Sequence, residues 1–305
     1  MKTLIIGLGV QGVKRLKVAG SDVVATVDNY KSDADFKTLE EVPIHLYDAA
    51  ILCTPDEPKF ELIRYLLENK KHVLVEKPLW MDSEKMISEI EELAHARKVL
   101  LQTAYNHRFE PNILRAKSVL EKGEIGEVYS CRLFYGNGTA QIVRESKWRD
   151  KDLGVVKDLG SHLLDIVNFL FPKNCPNDFA IHSYNFENKA SDHAFITSAN
   201  SSMLVNLEMS LCMWQNDFKC DILGSEGSLH IDGLCKWGPS TLSVRKRVRP
   251  SGRPNKHDEL VPEGDPTWHL EYQNFQHKIE EKIPTNLEVD RWILKILKSE
   301  KFESK

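Results

Sequence analysis

The chain has no stretch approaching the roughly eighteen uninterrupted apolar residues that a membrane helix needs. Its six cysteines, Cys53, Cys131, Cys175, Cys212, Cys220 and Cys235, form no CxxC pair, and a chain of 305 residues builds its core without disulfides. A basic excess is also missing. The 41 Lys and Arg face 45 Asp and Glu, for a net charge of −4, which argues against a general nucleic-acid binder. There is no internal repeat and no long linker. The apolar start at 4–6 runs at once into glycine, with no small-residue cleavage site, so it does not read as a signal peptide. The expectation is a reducing, cytoplasmic protein with neither a membrane nor a nucleic acid as partner. What is present is ordinary: 41% hydrophobic and 28% charged residues suit a folded globular chain, and the length suggests two domains.

Over the first hundred residues strand and helix patterns alternate. Strand-like runs at 3–6, 22–27, 49–53, 72–75 and 99–103 frame helical spacing at 10–19, 60–68 and 83–97. This rhythm predicts parallel βαβ units. After about residue 115 it changes to strands joined by turns, at 128–135, 194–199, 203–212, 218–223 and 228–231. In 203–212 the apolar residues Met203, Val205, Leu207, Met209 and Leu211 share one face with a period of two. An antiparallel sheet with one covered side is expected, followed by closing helices at 271–283 and 288–297. The expected domains are 1–114 and 115–305, with the last helix free to pack back on the first. A partner chain covering the second face of that sheet would make a homodimer or homotetramer.

Gly7-Leu8-Gly9-Val10-Gln11-Gly12 follows a strand and opens a helix. The tight turn needs the first glycine, close approach of a pyrophosphate the second, and helix-on-strand packing the third. Asp28 ends the next strand, where a carboxylate binds the ribose hydroxyls of NAD. It disfavours the 2′-phosphate of NADP, although Lys31 nearby keeps NADP open. Against this stands a tight βα turn without a ligand. Only 22 residues separate Asp28 from Ile51, too few for the usual helix, strand and helix. A shortened second half, lacking one helix and an edge strand, is expected.

Glu76-Lys77-Pro78 lies at the C-terminal end of a strand, the edge where open α/β sheets bind ligands. A lysine beside a nicotinamide can stabilise a developing alkoxide; the plainer reading is a surface lysine. In 158–165, Asp158, His162 and Asp165 share one face if the segment is helical. A carboxylate and an imidazole one turn apart can hold a hydroxyl and move its proton. Two plainer readings compete, Asp158 as a helix cap and His162 as a core histidine. No further ligand accompanies this group, so no metal is expected. The basic stretch Arg245-Lys246-Arg247-Val248-Arg249, with Arg253 and Lys256, reads as a solvated strand and loop, or as a phosphate contact.

Taken in order, these motifs resemble the glucose–fructose oxidoreductase / inositol dehydrogenase (Gfo/Idh/MocA) family. The similarity runs through Gly7–Gly12, Thr54-Pro55, 72–78, Tyr105-Asn106-His107-Arg108-Phe109, Trp148-Arg149 and Gly154-x-x-x-Asp158-x-Gly160-x-His162-x-x-Asp165. It ends weakly in 224–229. The resemblance implies an α/β Rossmann domain followed by an α+β domain on a large, mostly antiparallel sheet. It also implies NAD(P)-dependent hydride transfer on a sugar, polyol or nucleotide-linked sugar, with cell-surface carbohydrate synthesis as one setting. In family terms Lys77 contacts the reacting oxygen, His162 is the acid–base group and Asp158 positions substrate, with Asn106 and Arg108 beside it. Gly7, Gly9, Val10, Gln11, Gly12, Asp28, Thr54, Pro55, Glu76, Lys77, Trp148 and Arg149 would hold the dinucleotide. Two departures stand out. The family's histidine a few residues after Thr-Pro is here Lys59, and of the glycine-rich approach to Asp158 only Gly154 remains. Two other readings are a catalytically silent dinucleotide-binding regulator and a reductase of another small carbonyl or imine compound. The silent regulator would have no chemical need for Lys77, Asp158 and His162 together, whereas the other reductase remains within the enzyme class.

Overall fold

The structure is a computed structural model that describes residues 1–146, 149–198, 202–299 and 302–304. The chain begins β1 (Thr3–Ile6), α1 (Val10–Ala19), β2 (Val23–Val27), β3 (Ala49–Leu52), α2 (Lys59–Glu68), β4 (His72–Glu76), α3 (Glu84–Arg97) and β5 (Leu101–Ala104). It continues α4 (Pro111–Glu121), β6 (Val128–Gly136), α5 (Ala140–Arg144), α6 (Val155–Leu170), β7 (Phe179–Tyr184), β8 (His193–Ser198) and β9 (Leu204–Ser210). Last come β10 (Asp217–Gly224), β11 (Gly227–Asp232), β12 (Ser240–Lys246), β13 (Asn255–Val261), α7 (Thr267–Glu280), α8 (Glu288–Leu297) and β14 (Phe302–Ser304). Two compact units result. One joins Met1–Asn106 to Thr267–Lys295, the other His107–Pro266 to Ile296–Lys305.

The first unit is a parallel sheet of order β2-β1-β3-β4-β5. Its strands are apolar on both faces, as a sheet sandwiched by helices requires. Leu4, Ile6, Ala50, Leu52, Val73 and Val75 pack with Ile63, Leu66, Ile87 and Ile90 of α2 and α3. Ile5, Ala49, Ile51 and Leu74 pack with Ala19 of α1 and with Tyr272 and Phe275 of α7. The expected shortening is present. Between β2 and β3 the chain makes two 3-10 turns, Leu39–Glu41 and Ile44–Leu46, and one isolated bridge, Val27 to Phe36. The glycine turn lies on the β1 side of the sheet and does not depend on the missing elements.

The second unit carries a nine-stranded sheet, β13-β12-β11-β10-β6-β9-β8-β7-β14. It is antiparallel except where β6 meets β9 and β7 meets β14. α6 is apolar enough to be buried along most of its length and lies on β6, β8 and β9. Gly160 permits that approach, because a Cβ there would stand 3.1 Å from the Met209 sulfur and 3.4 Å from Ile196. The Met203 to Leu211 stripe is buried as its period predicts. Among the described residues no helix is long and apolar enough to cross a membrane.

Candidate active site

Parallel strands end on one edge, so every motif that follows a strand of the first sheet collects there. Gly7 follows β1, Asp28 follows β2, Thr54-Pro55 follows β3, Lys77 follows β4 and Asn106 follows β5. The strand order reverses between β1 and β3, the place where such sheets bind ligands. Gly7 has φ +91°, and a Cβ there would stand 2.8 Å from the Cys53 carbonyl oxygen. At Gly12 a Cβ would come within 1.8 Å of the Gly7 carbonyl oxygen. Gly9 differs from both, since a Cβ would meet no atom within 4 Å. The space over the exposed first turn of α1, at Val10 and Gln11, is therefore open, and no side chain caps the helix. Free N–H groups at such a terminus suit phosphate. The buried Thr54 hydroxyl has no hydrogen-bond partner among the described residues. These features fit a dinucleotide.

Asp28 accepts hydrogen bonds from the backbone N–H of Leu8 at 2.7 Å, Tyr30 at 2.8 Å and Lys31 at 2.9 Å. Burial works to raise its carboxyl, but these donors and the Lys31 charge prevail and hold it below the ordinary value. The Glu76 carboxylate is turned inward, 2.6 Å from Arg15 Nε. Lys59 explains the first departure from the family pattern. Its side chain is 2% exposed and donates to Asp56 Oδ1 at 2.8 Å and to the Glu76 and Pro78 carbonyls at 2.9 and 3.0 Å. It thus braces the backbone on both sides of Lys77, whose bond to Pro78 is cis. Asn106 donates to the Thr267 hydroxyl at 2.8 Å.

The second unit holds the other candidates. α6 begins at Val155 after Gly154, so Asp158 sits one turn inside the helix and is not its cap. Asp158 accepts from Arg149 at 3.2 Å. One turn on, His162 is buried and stacks on His107, with ring centroids 4.1 Å apart at 24°. Asp165, on the next turn, is gripped by the Arg108 guanidinium through both oxygens. Burial pushes the Asp165 carboxyl up, against the pull of Arg108. Trp148 lies outside the described residues. Lys77 belongs to the first unit and His162 to the second. The basic stretch is placed elsewhere. Register puts Lys246 beside Gly227, at the Val128 end of β6, whereas Tyr135, which faces His162, is at the opposite end. Lys246 bonds Glu124, Arg247 the Ser225 carbonyl and Arg249 the Glu226 carboxylate. Among the described residues no group of His, Cys, Asp and Glu is arranged to hold a metal.

Residues 1–105 match the family description "Oxidoreductase family, NAD-binding Rossmann fold", and residues 117–293 match "Oxidoreductase family, C-terminal alpha/beta domain". The chain belongs to the GFO/IDH/MocA oxidoreductase family. Its relatives include the uncharacterized oxidoreductase YdgJ of Escherichia coli, 30% identical over 159 residues, which are 49% of this chain and 45% of that one. Another is the inositol 2-dehydrogenase of Mycolicibacterium smegmatis, 26% identical over 188 residues, 56% of this chain and 53% of that one. The chain spans about half the length of the curated relatives it matches. In fold it is similar to levoglucosan dehydrogenase in complex with NADH, at a TM-score of 0.80 and 16% identity, covering 97% and 94% of the two chains. The UDP-N-acetylglucosamine 3-dehydrogenase GnnA of Acidithiobacillus ferrooxidans is similar too, with TM-score 0.79 and 19% identity, covering 97% and 95%.

Sequence reasoning missed several GFO/IDH/MocA site neighbours. Arg15, Glu271, Lys59, Tyr135 and Lys236 were not singled out as parts of the machinery. For Arg15 there was no signal, because it stands among Lys14 and Lys17 and nothing local marks which of the three is buried. For Lys236 there was none, because its loop has neither period nor motif.

Proposed function

We propose that this protein is an NAD-dependent oxidoreductase that transfers hydride between the nicotinamide and a carbinol carbon of a sugar, polyol or nucleotide-linked sugar. One observation carries the reading: the open Gly9 turn, Asp28 and the braced Lys77 converge on a single edge of the first sheet. NAD, when bound, supplies the hydride acceptor. The residues of this chain do the rest. The first unit binds the dinucleotide through 7–12 and Asp28, and the Lys77 ammonium stabilises the substrate oxygen. The second unit binds the substrate, where His162 carries the hydroxyl proton and Asp158, held by Arg149, orients the hydroxyl. The names of the inositol, levoglucosan and UDP-N-acetylglucosamine dehydrogenases support a polyhydroxylated ring as substrate. The uncovered face of the nine-stranded sheet exposes Leu204, Leu223 and Leu260, which supports a homodimer formed by that face.

The test is a panel of sugars, polyols and nucleotide sugars with NAD and with NADP, followed at the absorbance of the reduced nicotinamide. Turnover that falls on Lys77→Ala or His162→Ala by about 10²–10⁴-fold, with NAD binding kept, is the expected result. Tight NAD binding with no turnover on the whole panel favours the silent regulator.

A further inference from the structure

We propose that Lys236 and His107 form a positioning pair that holds the neighbour of His162 in one neutral tautomer, leaving His162 the only member of the stacked pair that titrates. This rests on reading His162 as the acid–base group. The observations lie within the second unit. The Lys236 ammonium nitrogen is 2.9 Å from His107 Nε2 and 3.3 Å from the Tyr135 hydroxyl. It also lies 4.4 Å from the ring centre of Trp237. His107 is 2% exposed and His162 7% exposed. The Tyr135 ring closes the group, 5.4 Å from His107 and 6.1 Å from His162.

An ammonium group has three donors and no acceptor. The ring nitrogen facing it must therefore offer a lone pair, so a neutral His107 carries its proton on Nδ1. Protonating His107 at Nε2 would set two positive charges at hydrogen-bond distance in a buried place, which is strongly disfavoured. His107 thus stays neutral through the range in which a free imidazole titrates. The stack makes this matter. A charged His107 face to face with His162 would oppose every protonation of His162. A neutral, flat ring instead fixes the plane of His162 and leaves its proton free to come and go. Asp158 and Asp165 flank His162 on α6 and are held by Arg149 and Arg108, while Asp158 and Asp265 lie near the Tyr135 hydroxyl.

The deciding measurement is ¹⁵N NMR of the histidine rings in the full chain between pH 5 and 9, with His107 assigned by loss of its signals in His107→Phe. The expected result is a His107 ring of the Nδ1–H tautomer with no titration step, beside a His162 ring that titrates once. Lys236→Met keeps the stem and removes the charge. In that variant His107 gains a step at about pH 6.5, and the two rings titrate as a coupled pair, so the His162 curve gains a second inflection. Lys236→Arg restores a flat His107. A titrating His107 in the unmodified protein, the Nε2–H tautomer, or Lys236→Met curves that superimpose on the parent overturn the proposal. The tautomer reading does not use Lys236→Met, so it stands even if that variant does not fold. None of these readouts uses turnover. A sugar panel with no active substrate would defeat the proposed reaction and leave the pair measurable by itself.

Discussion

Arg15 Nε lies 2.6 Å from the Glu76 carboxylate, and the same guanidinium reaches Glu271 at 2.6 Å through its Nη1. This ties the helix behind the glycine turn to the strand that carries Lys77, and to α7. The Trp268 ring covers the guanidinium at 4.4 Å. Burial works against the Arg15 charge, but Glu271 and Glu76 more than restore it and its pKa ends raised. Arg15→Met leaves two buried carboxylates without their cation. The expected loss is about 3–5 kcal/mol of stability, read by chemical denaturation. Adding Glu271→Gln to that variant should recover part of it. A loss under about 1 kcal/mol would place the pair among weak surface contacts.

The three glycines of the turn should separate by experiment. Gly9→Val fills open space, so it is expected to abolish NAD binding while leaving the melting temperature close to that of the parent. Gly12→Ala drives a methyl group into the Gly7 carbonyl and should lower both stability and binding. Calorimetry with NAD and a thermal melt on each variant check this. Unimpaired NAD binding by Gly9→Val would remove the pyrophosphate from that space.

Asp28 makes stability depend on acid. Its folded carboxyl lies below the ordinary 3.8, so the ionised form is the one folding favours. The stability it contributes is complete above pH 3.8 and is lost as pH falls through the lower folded value. Asp28→Asn should therefore be less stable than the parent at pH 7, with the gap narrowing below pH 3.8. The same variant should bind NADP more tightly relative to NAD, because the charge that repels a 2′-phosphate is gone. Melts across pH 3–7 and calorimetry with both dinucleotides are the measurements.

Lys59 braces its loop with buried donors, and Lys59→Met withdraws them all. Each carbonyl left without its donor costs about 1–3 kcal/mol. The loop around Lys77 should loosen, so turnover on any substrate found by the panel should fall more than NAD affinity does. Equal falls in both would mean that Lys59 supports the whole sheet edge and not Lys77 in particular.

Much of the fold was written locally. The β1 and α1 segments, 3–6 and 10–19, follow from apolar period and glycine spacing, and the count between Asp28 and Ile51 foretold the shortened half. The stripe from Met203 to Leu211 identified its own buried face. The misses have a physical cause too. β13 is charged and exposed at the edge of its sheet, and β12 offers only Leu242 and Val244 before Arg245 and Lys246, so neither carries the longer alternation that marks a half-buried strand.

The site divides along the same line. Motif spacing by itself determined that Gly7, Gly9, Gly12, Asp28 and Lys77 follow strands, and in a parallel sheet that already assigns them to one edge. It also determined that Asp158, His162 and Asp165 share a helix face, since a helix repeats every 3.6 residues. Only tertiary structure decided that Arg108 grips Asp165, that Lys59 points inward beneath Lys77, and that Lys236 meets His107 across 129 residues of chain. Those partners are joined by packing of distant segments, and no local period records which buried charge will find which acceptor. A buried ammonium or guanidinium must be paired wherever the fold puts it, so the pairing is settled when the core closes and not before.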